Sequence, residues 1–132
     1  MKRILLIEDQ AEMRKLIQAM LSAHDYELVP AVDGRAAIQH LAQSDFEVIL
    51  VDLLLPDVRG EMVIQWVLSN RPQLKPRILV TTGADLTPGL EALLEGLKIP
   101  VLRKPFGKDA LVAAVGAISA VGGPDQRSAG VP

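Results

Sequence analysis

The sequence predicts an α/β protein built on one parallel sheet of five strands, with helices on both faces. Five short apolar runs alternate along the chain with five segments of helical periodicity, the order that builds successive βα units. The runs are apolar throughout rather than every second residue, as strands are when both faces of a sheet are covered. The residues able to do chemistry cluster at the carboxyl ends of four of these runs, the edge at which open α/β sheets bind ligands. Right-handed crossovers leave few topologies for such a chain.

Taken in order, Ile4-Leu5-Leu6-Ile7 is the first strand and stops at Glu8-Asp9. From Gln10 to Ala23, Met13, Leu16, Ile17, Met20 and Leu21 recur at three- and four-residue spacing, which predicts an amphipathic helix with these side chains inward. Tyr26 to Val32 is a second strand, weakened by Pro30. Asp33-Gly34 is a turn, and Ala36 to Gln43 a short helix with Ile38 and Leu41 on one face. Val48 to Val51 is the most apolar strand and ends at Asp52. Gly60 precedes a helix bearing Met62, Val63, Trp66 and Val67, with Trp66 in the core. Pro72 and Pro76 punctuate the next connection. Ile78-Leu79-Val80 is the fourth strand and ends at Thr81-Thr82-Gly83. Thr87-Pro88 reads as an N-cap followed by a first-turn proline, opening a helix with Leu90, Leu93, Leu94 and Leu97. Ile99 to Leu102 is the fifth strand and ends at Arg103-Lys104-Pro105; Asp109 to Ala120 is the last helix. Val121 to Pro132 holds five Gly and Pro, so the expected division is a domain over 1–120 and a flexible tail or truncated linker over 121–132.

The composition narrows the function. The 132 residues suit one domain, and 49% hydrophobic content suffices for a core. No apolar run approaches the ~20 residues of a membrane span, and the apolar stretch behind Met1-Lys2-Arg3 is short for a signal peptide. A cytoplasmic protein without membrane contact is expected. The absence of Cys, with only His24 and His40, argues against a zinc site of the usual kind. A net charge of −2 argues against a large nucleic-acid surface.

Glu8, Asp9, Asp52, Thr82 and Lys104 all lie at strand ends. If the first and third strands flank the crevice where strand order reverses, the three carboxylates converge. Such a cluster is costly without a cation. Oxygen ligands with room for water suit Mg²⁺. A carboxylate beside Mg²⁺ can act as a nucleophile toward phosphorus. Lys104 would add a point charge, Thr82 a hydroxyl, and Gly83 space. These residues describe a site that accepts phosphate on Asp52.

On Glu8-Asp9, Asp52-Leu53-Leu54-Leu55-Pro56 with Gly60, Thr82-Gly83 and Lys104-Pro105-Phe106, the chain resembles the receiver domains of two-component response regulators. The match runs from about Lys2 to Ala120. The separations of 30 residues from Asp52 to Thr82 and 52 from Asp52 to Lys104 also agree. The resemblance implies a flavodoxin-like three-layer α/β/α sandwich with strand order 2-1-3-4-5. It implies Asp52 as phosphoacceptor and Mg²⁺ ligated by Asp9, Asp52 and the backbone carbonyl of Leu54, with Glu8 acting through a metal-bound water. Lys104 would pair with Asp52 and then with the phosphoryl group. The Lys104-Pro105 bond is a cis candidate. The implied partners are a sensor histidine kinase or a histidine phosphotransfer protein, with no direct nucleic-acid binding by this chain. A possible homodimer through the fourth and fifth helices also follows, the last helix being almost uncharged and Ala-rich beyond its start. The protein would be a signalling switch and no enzyme beyond its own phosphorylation and dephosphorylation.

Two departures from the family pattern stand out. Glu8 replaces the first of two aspartates. Val101 stands three residues before Lys104, where many members carry an aromatic that turns inward on phosphorylation. Leu54 and Ala84, at positions that tune the hydrolytic water in the family, are apolar or small. Asp57 reads as a turn former rather than a ligand, Arg103 as a solvated strand-end charge, and His24 and His40 as surface or helix-end residues. Three rival functions stay open: an Asp52 hydrolase, disfavoured because Leu54 stands where an Asp-x-Asp enzyme carries its second Asp; a nucleotide or flavin module, disfavoured by the lack of a Gly-rich loop after the first strand; and a phosphorylation-independent receiver-like interaction module, which the intact site argues against and Val101 keeps open.

Overall fold

The computed structural model describes residues 2–83 and 86–121. The elements are β1 (Lys2–Ile7), α1 (Ala11–Leu21), β2 (Tyr26–Ala31), α2 (Gly34–Gln43), β3 (Val48–Asp52), α3 (Gly60–Asn70), a 3₁₀ turn (Pro72–Arg77), β4 (Ile78–Thr82), α4 (Pro88–Gly96), β5 (Val101–Arg103) and α5 (Lys108–Val121). All strand pairs are parallel and the order is β2-β1-β3-β4-β5. The expected tail over 121–132 lies outside the described residues, except that Val121 closes α5.

Alternation along each strand divides the core into two layers. Leu5, Ile7, Ile49, Val51, Ile78 and Val80 pack against α2, α3 and α4 through Leu41, Val63, Val67 and Leu94. Ile4, Leu6, Val48, Leu50 and Leu79 pack against α1 and α5 through Ile17, Leu21, Leu111, Val115 and Ile118. Every residue of β3 and β4 is buried, which is why these strands read as unbroken apolar runs.

Several boundaries and faces differ from the sequence reading, each for a local reason. α2 begins at Gly34 rather than Ala36. Asp33 accepts from the Ala36 N–H, and Asp57, distant in sequence, accepts from the N–H groups of Gly34 and Arg35 at 2.8 and 3.1 Å. A tertiary carboxylate therefore satisfies the orphan donors of the first turn. β5 begins at Val101 rather than Ile99, because the Ile99 N–H closes α4 on the Leu94 carbonyl and Pro100 follows. Lys98 sits at φ 59°, the left-handed exit from that helix. The segment between α3 and β4 is helical, pinned by Arg71, which bonds the carbonyls of Leu41 and Ser44 and pairs with Asp45. Leu16 lies exposed rather than inward, and Trp66 packs half-buried against the core; Met62 and Leu93 are exposed as well.

Asp57 is thus a clamp between the β3–α3 loop and α2. Desolvation raises its pKa, but the N–H groups of Gly34, Val58 and Arg35 outweigh that and hold the carboxyl below its ordinary value. Asp57→Ala is expected to cost about 1–2 kcal/mol. Because the folded pKa is the lower one, this contribution is present above the unfolded value and is lost as pH falls through the folded value. Urea midpoints of the two proteins should differ at pH 7 and converge in acid.

Candidate functional site

The site sits where β1 and β3 deliver their last residues side by side. β1 pairs with both β2 and β3, so the chain leaves β1 and β3 in opposite directions across the sheet and opens a crevice between their ends. Glu8 and Asp9 follow β1, and Asp52 ends β3. One carboxylate oxygen from each lies within 4.8 Å of the others. Glu8 and Asp52 are buried and Asp9 is exposed, so the cluster opens to solvent on one side.

Lys104 reaches in from the loop after β5. Its Nζ donates to Glu8 Oε1 at 2.8 Å and to Asp52 Oδ2 at 3.2 Å. The Lys104-Pro105 bond is cis, and the Lys104 N–H bonds the Thr82 carbonyl, which ties the loop to the end of β4. Glu8 Oε2 accepts from the Gln10 N–H, so both Glu8 oxygens are engaged within the protein. Asp52 Oδ1 accepts from the Leu54 N–H at 3.1 Å. That bond draws the β3–α3 loop over the carboxylate, and the Leu54 side chain points out, 61% exposed.

Burial lifts the Glu8 carboxyl above the usual carboxylate range, and the Asp52 charge adds to this against the bonds from Lys104 and Gln10. Burial also works against the Lys104 charge, but the bond to Glu8 and the charges of Asp52 and Glu8 outweigh it and hold that ammonium above its ordinary value. The attraction within the pair is mutual, but Glu8 is almost wholly removed from water and is crowded by a second carboxylate, so its pKa still rises. Three carboxylates against one short-range ammonium leave negative charge in excess. An all-oxygen donor set, close spacing and one face open to water fit a hard divalent ion such as Mg²⁺.

Thr82 ends β4, buried, one residue beyond Thr81, which pairs with Asp52 across the sheet. Thr82 lines a cavity of about 190 Å³ with Leu53, Leu54, Leu86 and Leu90. The adjoining Ala84 lies outside the described residues. Val101 is half-buried against the core layer of α4. Arg103 is paired with Glu91 at 3.2 Å rather than simply solvated. Asp57, as expected, is no part of the acidic cluster. Sequence reasoning missed Arg14, whose guanidinium bonds the backbone beneath the acidic pair; its place in an otherwise amphipathic helix carries no signal of this.

A parallel 2-1-3-4-5 sheet with an acidic cluster and a lysine brought to its switch point defines a flavodoxin-like α/β domain with a charged site at the sheet edge. The chain belongs to the response regulator receiver family: the family model described as "Response regulator receiver domain" matches residues 4–116. It is 32% identical over 119 residues to the cell cycle response regulator CtrA of Brucella ovis, an alignment covering 88% of this chain and 49% of that protein. The chain spans about half the length of the curated relatives it matches. Among solved structures, the signal receiver domain of a Vibrio parahaemolyticus protein superposes with TM-score 0.81 at 27% identity, over 92% of each chain. The response regulator TrrA of Thermotoga maritima, solved in complex with Mg²⁺-BeF, superposes with TM-score 0.76 at 23% identity, over 89% of this chain and 99% of that one. Among the described residues no helix is long and apolar enough to cross a membrane.

Proposed function

We propose that Asp52 accepts a phosphoryl group from the phosphohistidine of a sensor kinase or phosphotransfer protein, with Mg²⁺ held by Asp9, Asp52 and the Leu54 carbonyl. The convergence of Glu8, Asp9 and Asp52, with the Lys104 ammonium on two of them, carries this reading. Bound Mg²⁺ would offset the charge of the carboxylates and of the incoming phosphoryl oxygens. Glu8 would act through water, as both its oxygens already have protein partners. An Asp52 oxygen attacks phosphorus, the P–N bond to the donor imidazole breaks, and that nitrogen keeps the electron pair. Lys104, already on Asp52, follows the new negative charge, and the Thr82 hydroxyl donates to a phosphoryl oxygen. Gly83 is exposed and leaves the approach open. The product carries about one more negative charge at the sheet edge than the carboxylate did, which biases a two-state surface.

The outer face of α5 presents Ala110, Ala113, Ala117 and Ala120, and α4 presents Leu93. These faces support a homodimer through α4 and α5 as the output, in a cytoplasmic protein that neither binds nucleic acid through this chain nor turns over a substrate other than its own phosphoryl group. Chromatography with and without beryllofluoride reads this as a shift toward the dimer; a monomer in both states contradicts it.

Acetyl phosphate with Mg²⁺ should add one phosphoryl group by intact-mass spectrometry. Asp52→Asn should add none, and EDTA should abolish the modification in the parent protein. An unmodified parent protein would instead support the phosphorylation-independent module to which Val101 points.

A further inference from the structure

We propose that Arg14 is a positioning residue for the cation site, orienting the two peptides that present Glu8 and Asp9. The inference rests on the Mg²⁺ reading above. Arg14 lies in the first turns of α1, and its Nη1 donates to the Glu8 carbonyl at 2.8 Å and to the Asp9 carbonyl at 3.0 Å. One planar cation therefore fixes two consecutive carbonyls.

The Glu8 N–H bonds the Ala31 carbonyl at 3.0 Å and the Gln10 N–H bonds Glu8 Oε2 at 3.1 Å, and Arg14 is the group that holds the two carbonyls. Gln10, the residue before α1, provides no side-chain cap. Glu8 is locked by its own contacts with Lys104 and Gln10. Asp9 is exposed, and among the described residues no hydrogen bond holds its carboxylate. The direction of the Asp9 side chain is then dictated by the peptide planes on either side of it. Arg14 holds both: the Glu8 carbonyl belongs to the peptide before Asp9, and the Asp9 carbonyl to the peptide after it. Changing a group that orients a metal ligand from behind typically costs about ten- to a hundredfold in affinity.

Positioning and electrostatics predict opposite signs here, which makes the role testable. A guanidinium near a cation site repels the incoming ion, so deleting its charge should tighten Mg²⁺ binding if charge were its whole contribution. If Arg14 acts by holding the loop, deletion should weaken binding. Arg14→Met is expected to weaken Mg²⁺ binding about tenfold. Arg14→Lys keeps the charge but is shorter and lacks the planar fork, and is expected to weaken binding by a smaller factor.

The test is calorimetric titration of MgCl₂ into the wild-type protein, Arg14→Met, Arg14→Lys and Asp9→Asn, each checked for native circular dichroism in EDTA. Modification by acetyl phosphate is followed in parallel against Mg²⁺ concentration. The expected result is a rise in half-saturating Mg²⁺ for both Arg14 variants, with the maximal rate at saturating Mg²⁺ unchanged. Unchanged or tighter binding in Arg14→Met overturns the proposal. Should that variant not fold, unchanged binding in Arg14→Lys overturns it. A wild-type protein that binds no Mg²⁺ overturns the metal reading itself, and the positioning role with it; wild-type binding that Asp9→Asn reduces, with both Arg14 variants unaltered, overturns the positioning role alone.

Discussion

Lys104→Met should destabilise the metal-free protein by about 3–5 kcal/mol, the usual loss when one partner of a buried ion pair is removed. Glu8 and Asp52 are 1% and 4% exposed, and each bonds the Lys104 ammonium. Without that cation two desolvated carboxylates face each other. Protonation of Glu8 relieves this, so the pH dependence has a definite sign. Glu8 already has a folded pKa above its unfolded value, so its ionised form costs stability at neutral pH, and that cost shrinks as pH falls through the folded value. Losing Lys104 removes the group that opposes this shift. The variant's deficit should therefore be largest near pH 8 and smaller near pH 5.5. In the parent protein Lys104 carries a dependence of the same sign at higher pH: its pKa is raised on folding, so its contribution is complete below the unfolded value and is lost as pH rises through the folded one. Millimolar Mg²⁺ should restore part of the variant's loss by taking the place of the ammonium charge. Urea denaturation at the two pH values, with Mg²⁺ and with EDTA, measures all of this. A deficit independent of both pH and Mg²⁺ would mean that Lys104 acts through packing rather than charge.

Gly60→Ala should be nearly as damaging, by about 3 kcal/mol, with a fall in Tm on the order of 10 °C. A Cβ at Gly60 would lie 2.5 Å from the Asp52 carbonyl oxygen and 2.7 Å from Leu53 Cα. Both neighbours are backbone, so no rotamer change relieves the clash. The same glycine donates its N–H to the Leu53 carbonyl at 3.1 Å, and this closes the loop after Asp52. Adding a methyl group must therefore push the loop off the phosphoacceptor strand. Acetyl phosphate modification at 10 °C, where the variant stays folded, should slow together with the stability loss. Gly89, with open space around its missing Cβ, is the matched control.

How far each feature was legible follows from where its energy comes from. The strands are legible because burial on both faces favours apolar side chains, and β3 and β4 comply up to the polar residues at their carboxyl ends, Asp52 and Thr81-Thr82. The α4 start is legible because Thr87 caps it locally, accepting from the Leu90 N–H, with Pro88 behind it. The α2 start is not, because Asp57 supplies the missing partner from 23 residues away. The β5 boundary shifts because Ile99 serves the end of α4 before it can join a ladder. Helical periodicity placed Leu16 on the inward face of α1, yet it lies 47% exposed while Ile17 and Leu21 take the buried positions.

The sequence by itself determined the layered α/β plan, the strands that carry Glu8, Asp9, Asp52, Thr82 and Lys104, and the chemistry such residues could do together. These are matters of pattern and residue type, which short-range physics controls. Only the tertiary structure decided that the three carboxylates meet within 4.8 Å, that one ammonium spans two of them, and that Arg14 and Asp57 hold the flanking loops from behind. Those contacts join residues that are far apart in the chain or that carry no distinguishing pattern. Their strength depends on distance and burial, quantities that exist only once the sheet has closed and its two loop-bearing edges have been brought together.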